Sequence, residues 1–246
     1  NLLKSGKRVL VIFRGINTEY FSNSSVSNEQ INKLSNNLSL NTNSFKILLP
    51  GRITRWKGQE MFIRSLYLLK TKYKKDNFQG IIIGNHQGRK VYFKKLISMT
   101  EKYDLKKNIY FVSALRDMPL IYYLTDVVVS ASIKPEAFGR VAVEAQAMQK
   151  PIIASNIGGS KETIIDKKTG FLYKYDDPRE LAKVLNSDVF ESSMQQSAQS
   201  FLSGFQTWKT FEKGNPGDRN EITVIGIWSD KLAELASHIK KYNPNT

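Results

Sequence analysis

Two carboxylates and two cations stand out for the chemistry they could do together. Glu136 and Glu144 lie eight positions apart in KPEAFGRVAVEAQAMQKPIIASNIGG, residues 134–159. Pro135 keeps Lys134 extended, Gly139 permits a tight turn, and Arg140 to Met148 have helix-forming composition that Pro151 stops. Glu136 therefore falls in a loop. Glu144 falls inside the following helix, about 7 Å along the axis from its start at 1.5 Å per residue. A helix start presents free N–H groups and the positive end of the dipole, a place for an anion. A phosphate docked there would have one carboxylate on either side, and carboxylates accept hydrogen bonds from hydroxyl groups. A ligand with hydroxyls on both sides of a diphosphate is a nucleotide sugar. A plainer alternative makes Glu136 a solvent-facing loop residue and Glu144 a helix-surface residue flanking a buried VAVEA stripe.

The cations are Arg52 and Lys57, in GRITRWKGQE at residues 51–60. Gly51 supplies a turn and Gly58 opens a helix from Gln59 to Lys70. Breaking a sugar–phosphate bond builds negative charge on the leaving diphosphate, and preorganised cations favour that transition state. Arg offers a fork of donors and Lys a point charge. As ordinary surface residues near a helix start they would oppose the dipole, a small penalty.

The elements that must position these groups alternate strand and helix. Strands are predicted at Phe45 to Pro50, Phe78 to Gly84, Ile109 to Val112, Val127 to Ser130 and Ile152 to Ala154, with an extended piece at Thr169 to Tyr173. A further strand is expected at Arg8 to Phe13. Helices are predicted at 89–103, with Tyr92, Phe93, Leu96, Ile97 and Met99 inward, and at Met118 to Leu124 with Asp117 as N-cap. Ser160 is read as the cap of a short helix through Ile164. Asp176, Asp177 and Pro178 precede a helix at Glu180 to Leu185, a capping arrangement. Residues 22–44, rich in Ser and Asn, read as a flexible surface excursion with a weak helical stripe through Ile31, Leu34 and Leu38. The fold class that follows is α/β: a Rossmann-like parallel sheet with helices on both faces. In such sheets ligands collect at the carboxyl ends of the strands, where every group named above falls.

Taken together, EAFGRVAVEAQAMQKPIIAS-x-IGG-x-x-E, the later TGFLY and the earlier G-R-x4-K-G turn closely resemble the donor-site signature of retaining glycosyltransferases with a Glu-x7-Glu motif. These enzymes have the two-domain GT-B fold, and the resemblance is to their C-terminal, donor-binding half. It implies that Arg52 and Lys57 hold the donor diphosphate and that Glu136 contacts the sugar hydroxyls, so these three carry catalysis. It implies that Glu144 contacts the ribose, and that Phe138, Gly139, Arg140 and Val141 approach sugar and phosphate through their main chain. Gly51, Gly58 and Gly84 form the turns beside the donor, Gly84 within GNHQGR. The resemblance makes neither glutamate a nucleophile. It also reads RVLVIF followed by RGINTEYF as the crossover from an acceptor half, expected upstream of this chain. Ala198, Gln199, Phe205, Trp208 and Lys209 resemble the closing segment, with Gln199 where Arg is usual. The domain reading is residues 1–213 as nucleotide-sugar binding domain and 214–246 as an unassigned C-terminal extension. Within that extension a strand at Ile222 to Ile227 and a helix at Lys231 to Tyr242 are possible elements.

Composition bounds the rest. The 246 residues contain no cysteine and two histidines, so disulfides and thiolate or His-based metal sites are excluded or disfavoured. No Asp-x-Asp occurs, and the expected cofactor and metal content of the site is none, the substrate being a UDP- or GDP-linked sugar. The formal charge is +15, from 37 basic and 22 acidic residues. The basic residues are dispersed, with a denser run at Lys70, Lys72, Lys74 and Lys75, and no nucleic-acid-binding signature accompanies them. An anionic membrane surface and a merely solvated face both fit. No apolar run approaches the roughly 20 residues of a membrane span and no signal peptide is read at the start, so a cytoplasmic protein, peripheral at the inner membrane face, is expected. Expected partners are the nucleotide sugar, a glycan or lipid-linked acceptor and the acceptor domain. Three other functions compete: a nucleotide-sugar binding module without turnover, a sugar-nucleotide epimerase and a glycosidase-like carboxylate pair. The Glu spacing and the G-R-x4-K-G turn speak against the epimerase. Glu144 in a helix beside a phosphate site fits the glycosidase poorly.

Overall fold

The computed structural model describes residues 16–188 and Phe190. The expected strand at Arg8 to Phe13, the closing segment around Trp208 and the two elements of the extension lie outside these residues.

Six parallel strands form one sheet in the order β3-β2-β1-β4-β5-β6. They are β1 (Phe45–Pro50), β2 (Phe78–Ile83), β3 (Ile109–Val112), β4 (Val127–Ser130), β5 (Ile152–Ser155) and β6 (Phe171–Tyr173). The helices are α1 (Asn28–Asn37), α2 (Gln59–Thr71), α3 (Lys90–Lys102), α4 (Met118–Leu124), α5 (Arg140–Ala147), α6 (Ser160–Thr163) and α7 (Pro178–Leu185). From β1 the chain winds outward to β3, then returns to lay β4 against the other side of β1, with Leu48 paired to Val128. The sheet order therefore reverses between β1 and β4, the position where doubly wound folds open a ligand site.

The strand sequences explain why both faces are covered. In β1, Ile47 and Leu49 face one core while Leu48 faces the other; in β2, Ile82 opposes Ile81 and Ile83. This is the two-residue alternation of a strand, apolar on both sides, as parallel sheets require. The first core is closed by α2, α3 and α7 through Phe62, Leu66, Leu96, Leu181 and Leu185. The second is closed by α1, α4 and α5 through Leu34, Ile121, Tyr122, Val141 and Ala145.

Four expectations are corrected, wholly or in part. Residues 22–44 are not a loose excursion: they carry α1, whose Leu34 is buried, and Leu40 follows it into the core. The overlooked signal is Ser27-x-x-Gln30, a capping box in which each side chain satisfies the other residue's backbone N–H. On α3, Tyr92, Leu96 and Met99 are buried but Ile97 is 37% exposed. One residue past Leu96 is a rotation of about 100°, which carries Ile97 off the apolar stripe. Ser160 is the first residue of α6, with Gly159 in the cap position, and Asp117 stands at the α4 cap position without a capping hydrogen bond. Asp177 does cap α7, its carboxylate accepting from the Arg179 N–H at 3.0 Å.

Candidate functional site

The loops after β1 and β4 meet across the sheet reversal. After β1 the chain makes a short 3-10 turn, Arg55–Lys57, and enters α2 through Gly58 at φ 74°. A Cβ on Gly58 would lie 1.8 Å from the Ala131 carbonyl oxygen, just past the end of β4. Only glycine allows that approach with that backbone, and the approach brings Lys57 to the β4 loop. The Ile133 N–H then donates to the Trp56 carbonyl at 2.8 Å, fastening the two loops together.

Lys57 and Glu136 form an ion pair, Nζ to Oε1 at 2.8 Å, with both side chains only 14% exposed. Lys57 Nζ also sits 4.6 Å from the Trp56 ring centroid. The Ser132 hydroxyl donates to the same Oε1 of Glu136. Among the described residues Oε2 of Glu136 has no partner. Its backbone is clamped from above: the Gly159 N–H donates to the Glu136 carbonyl at 2.7 Å. A Cβ on Gly158 would fall 2.7 Å from both the N and O of Glu136. The glycines of IGG are thus the counter-surface of the Glu136 loop.

Helix α5 follows. Gly139 takes φ 77° at its N-cap, and the N–H groups of Gly139, Arg140 and Val141 donate to none of the described residues. Glu144, one turn in, is 7% exposed rather than on the surface, which removes the plainer alternative for this residue. Both its oxygens are held: Oε1 by Arg140 Nη2 at 2.8 Å and Oε2 by the Tyr122 hydroxyl at 2.9 Å. Burial raises the carboxyl above its usual range, while Tyr122, Arg140 and Lys57 pull the other way. Next to the carboxylate, and fully buried, the Tyr122 hydroxyl is itself pushed well above the ordinary tyrosine value, chiefly by burial.

The remaining predicted residues surround this centre without joining it directly. Arg52 is exposed immediately after Gly51 at the end of β1, and its guanidinium has no partner among the described residues. Gln59 fixes its carbonyl at 2.9 Å. Gly84 follows β2 directly and lies against Gly51, where a Cβ would be 2.0 Å from the Gly51 oxygen. Phe138 is half-buried against the second core and Val141 is buried in it. The structure thus joins Lys57 to Glu136 and brings Lys57 close enough to act on Glu144, and it leaves Arg52 at the rim. Ser132 and Tyr122 escape the sequence reading. Ser132 has no motif to mark it, and Tyr122 lies in an apolar helix that looks like ordinary core. Among the described residues no three His, Cys, Asp or Glu side chains gather to hold a metal.

A reversed parallel sheet with cations, carboxylates and a free helix start at its carboxyl edge defines a Rossmann-like ligand-binding unit of the kind found in GT-B glycosyltransferases. The chain belongs to the family described as "Glycosyl transferases group 1", whose family model matches residues 30–198. It is 32% identical over 130 residues to D-inositol 3-phosphate glycosyltransferase of Pseudarthrobacter chlorophenolicus, 52% of this chain and 30% of that one. Among solved structures, Anabaena HepE in complex with UDP-glucose superposes with TM-score 0.67 at 26% identity, covering 81% of this chain and 56% of HepE. The C-terminal domain of LpcC, a glycosyl transferase group 1 family protein from Francisella tularensis, gives TM-score 0.63 at 27% identity, covering 77% and 95%. The chain spans about a third to a half of the length of the curated relatives it matches. No helix among the described residues is long and apolar enough to cross a membrane.

Proposed function

We propose that this chain is the donor-binding half of a retaining glycosyltransferase that binds a UDP-linked hexose, or the GDP counterpart, and serves sugar transfer to a saccharide or lipid-linked acceptor. The observation that carries the reading is the Lys57–Glu136 pair, formed between loops of adjacent strands beside the free N–H groups of α5. HepE, with its UDP-glucose, supports uridine over guanosine.

Each group then has a task. The diphosphate takes the N–H groups of Gly139, Arg140 and Val141 and the charges of Lys57 and Arg52. Lys57 has three donors, so it can keep Glu136 and still serve a phosphate oxygen. Glu136 offers its uncommitted Oε2 to hydroxyls of the sugar. Glu144 accepts from the ribose. In the transfer the anomeric carbon–oxygen bond to phosphate breaks and the acceptor oxygen bonds to the same carbon on the same face. The acceptor proton passes to the departing phosphate oxygen. Positive groups preset around the diphosphate lower the barrier because the charge they meet develops only in the transition state. No metal or cofactor is assigned to this step.

A second reading follows from the share of the relatives that the chain spans: nucleotide-sugar binding here, with turnover only when an acceptor half is supplied. Radiolabelled UDP-glucose is incubated with the chain, with and without a separately expressed acceptor half. Binding without turnover by the chain, and transfer on complementation, is the expected result. Absence of UDP binding in calorimetry would refute the donor assignment.

A further inference from the structure

We propose that Tyr122 is a positioning residue of the donor site: its hydroxyl, bonded to Glu144, aims that carboxylate at the nucleotide ribose. The inference rests on the donor reading above and adds to it a residue from α4, which carries none of the motifs.

Tyr122 has no exposed surface, and its ring lies edge-on to Phe21 at 6.0 Å and 78°. Packed from every side, it cannot turn away, so the direction of its O–H is set by the core. That hydroxyl has one proton to give, and it gives it to Oε2 of Glu144 at 2.9 Å. Arg140 holds the other oxygen at 2.8 Å. Two donors on two oxygens fix the plane of the carboxylate, and each oxygen keeps a lone pair for a ligand hydroxyl. The side chain of Glu144 is 9% exposed, so only a narrow edge of it can be reached. A carboxylate with so little surface to offer must be held in one orientation to be useful.

The same bond opposes the effect of burial. Tyr122 on α4 and Arg140 on α5 contact Glu144, and Lys57 before α2 and Tyr20 in the segment preceding α1 are coupled to it through charge. Tyr122, Arg140 and Lys57 favour the ionised carboxylate, the form that can only accept. Removing the hydroxyl leaves a buried carboxylate with one donor fewer and raises its pKa further. The ribose-dependent part of binding is present above that pKa and lost as pH falls through it.

The test compares UDP with 2′,3′-dideoxy-UDP by calorimetry across pH. In Tyr122→Phe, affinity for UDP falls roughly five- to tenfold, less than the full worth of a hydrogen bond to a charged group because Arg140 still holds the other oxygen of Glu144. Affinity for the dideoxy compound stays within about twofold, and the acid midpoint of the UDP preference moves up. Glu144→Gln, as reference, loses the preference itself. Equal loss for both ligands in Tyr122→Phe means a merely structural tyrosine and overturns the proposal. No loss in Tyr122→Phe with full loss in Glu144→Gln also overturns it, leaving the donor reading intact. A preference unchanged in Glu144→Gln refutes the ribose contact, and the role of Tyr122 with it. If Tyr122→Phe does not fold, 3-fluorotyrosine placed at 122 keeps the hydroxyl and strengthens its donation. The acid midpoint then moves down, and an unmoved midpoint overturns the proposal.

Discussion

Replacing either partner of the Lys57–Glu136 pair should move nucleotide affinity in opposite directions. Lys57 Nζ is 2.8 Å from Glu136 Oε1, and each side chain is 14% exposed. Lys57→Ala removes a charged donor from the diphosphate. A hydrogen bond to a charged group is worth about 1.5–3 kcal/mol, so the UDP dissociation constant should rise about 10- to 150-fold. Glu136→Gln keeps the lysine, frees it from a competing carboxylate and removes a negative charge near the phosphates. At an assumed separation of roughly 6 Å and an effective dielectric of about 20, two like charges cost up to about 3 kcal/mol, and solvent screening leaves a fraction of that. UDP should therefore bind several-fold tighter to Glu136→Gln, while sugar transfer in a complemented enzyme should collapse. Ser132 can still donate to the amide oxygen of the glutamine, so the loop keeps its shape. Calorimetry with UDP, followed by turnover with UDP-glucose, separates the two effects. Unchanged UDP affinity in Lys57→Ala, or weaker UDP binding in Glu136→Gln, would refute the reasoning.

Other predictions concern stability and surface. Gly58→Ala places a Cβ 1.8 Å from the Ala131 oxygen at φ 74°, and should cost at least about 2 kcal/mol in chemical denaturation. Asp177→Ala removes the α7 cap and should cost about 1 kcal/mol. The Asp177 carboxyl is held below its usual range, first by its hydrogen bond to the Arg179 side chain. The ionised part of its stabilising effect is therefore full above the unfolded-state pKa and lost as pH falls through the folded one, so the deficit of Asp177→Ala should shrink in acid. On α3, Lys90 and Lys94 are exposed beside Val91, which is 84% exposed. The expected peripheral contact with an anionic membrane is tested by co-sedimentation with phosphatidylglycerol vesicles, which Lys90→Glu with Lys94→Glu should weaken by about 1 kcal/mol per lysine removed. Equal sedimentation of the variant would argue against the contact.

How legible the molecule was depends on the range of the interaction. The strand at Val127–Ser130 and that at Ile109–Val112 appear at their expected limits, because short β-branched and aromatic runs between turn residues declare themselves locally. The start of α5 was equally plain, since Gly139 is required for its turn. α1 was misread because Ser and Asn composition outweighed a four-residue capping box. Long-range pairings were beyond reading: Lys57 and Glu136 are 79 residues apart, and Tyr122 and Glu144 are 22. Residue types near strand ends indicate which groups could meet; only the reversal between β1 and β4 decides that they do. Arg52 shows the converse, since its place after β1 was foreseen while the direction of its guanidinium toward a ligand was not determined by any contact.

The edge contact between Phe21 and Tyr122 brings a segment from before α1 into the packing of the tyrosine. Phe21 belongs to the strip that precedes α1, whose Tyr20 hydroxyl also donates to the Arg116 carbonyl at 3.0 Å. The wall that holds the tyrosine ring in place is therefore built partly by residues outside the sheet, and under the role proposed for Tyr122 the aim of Glu144 depends on that packing.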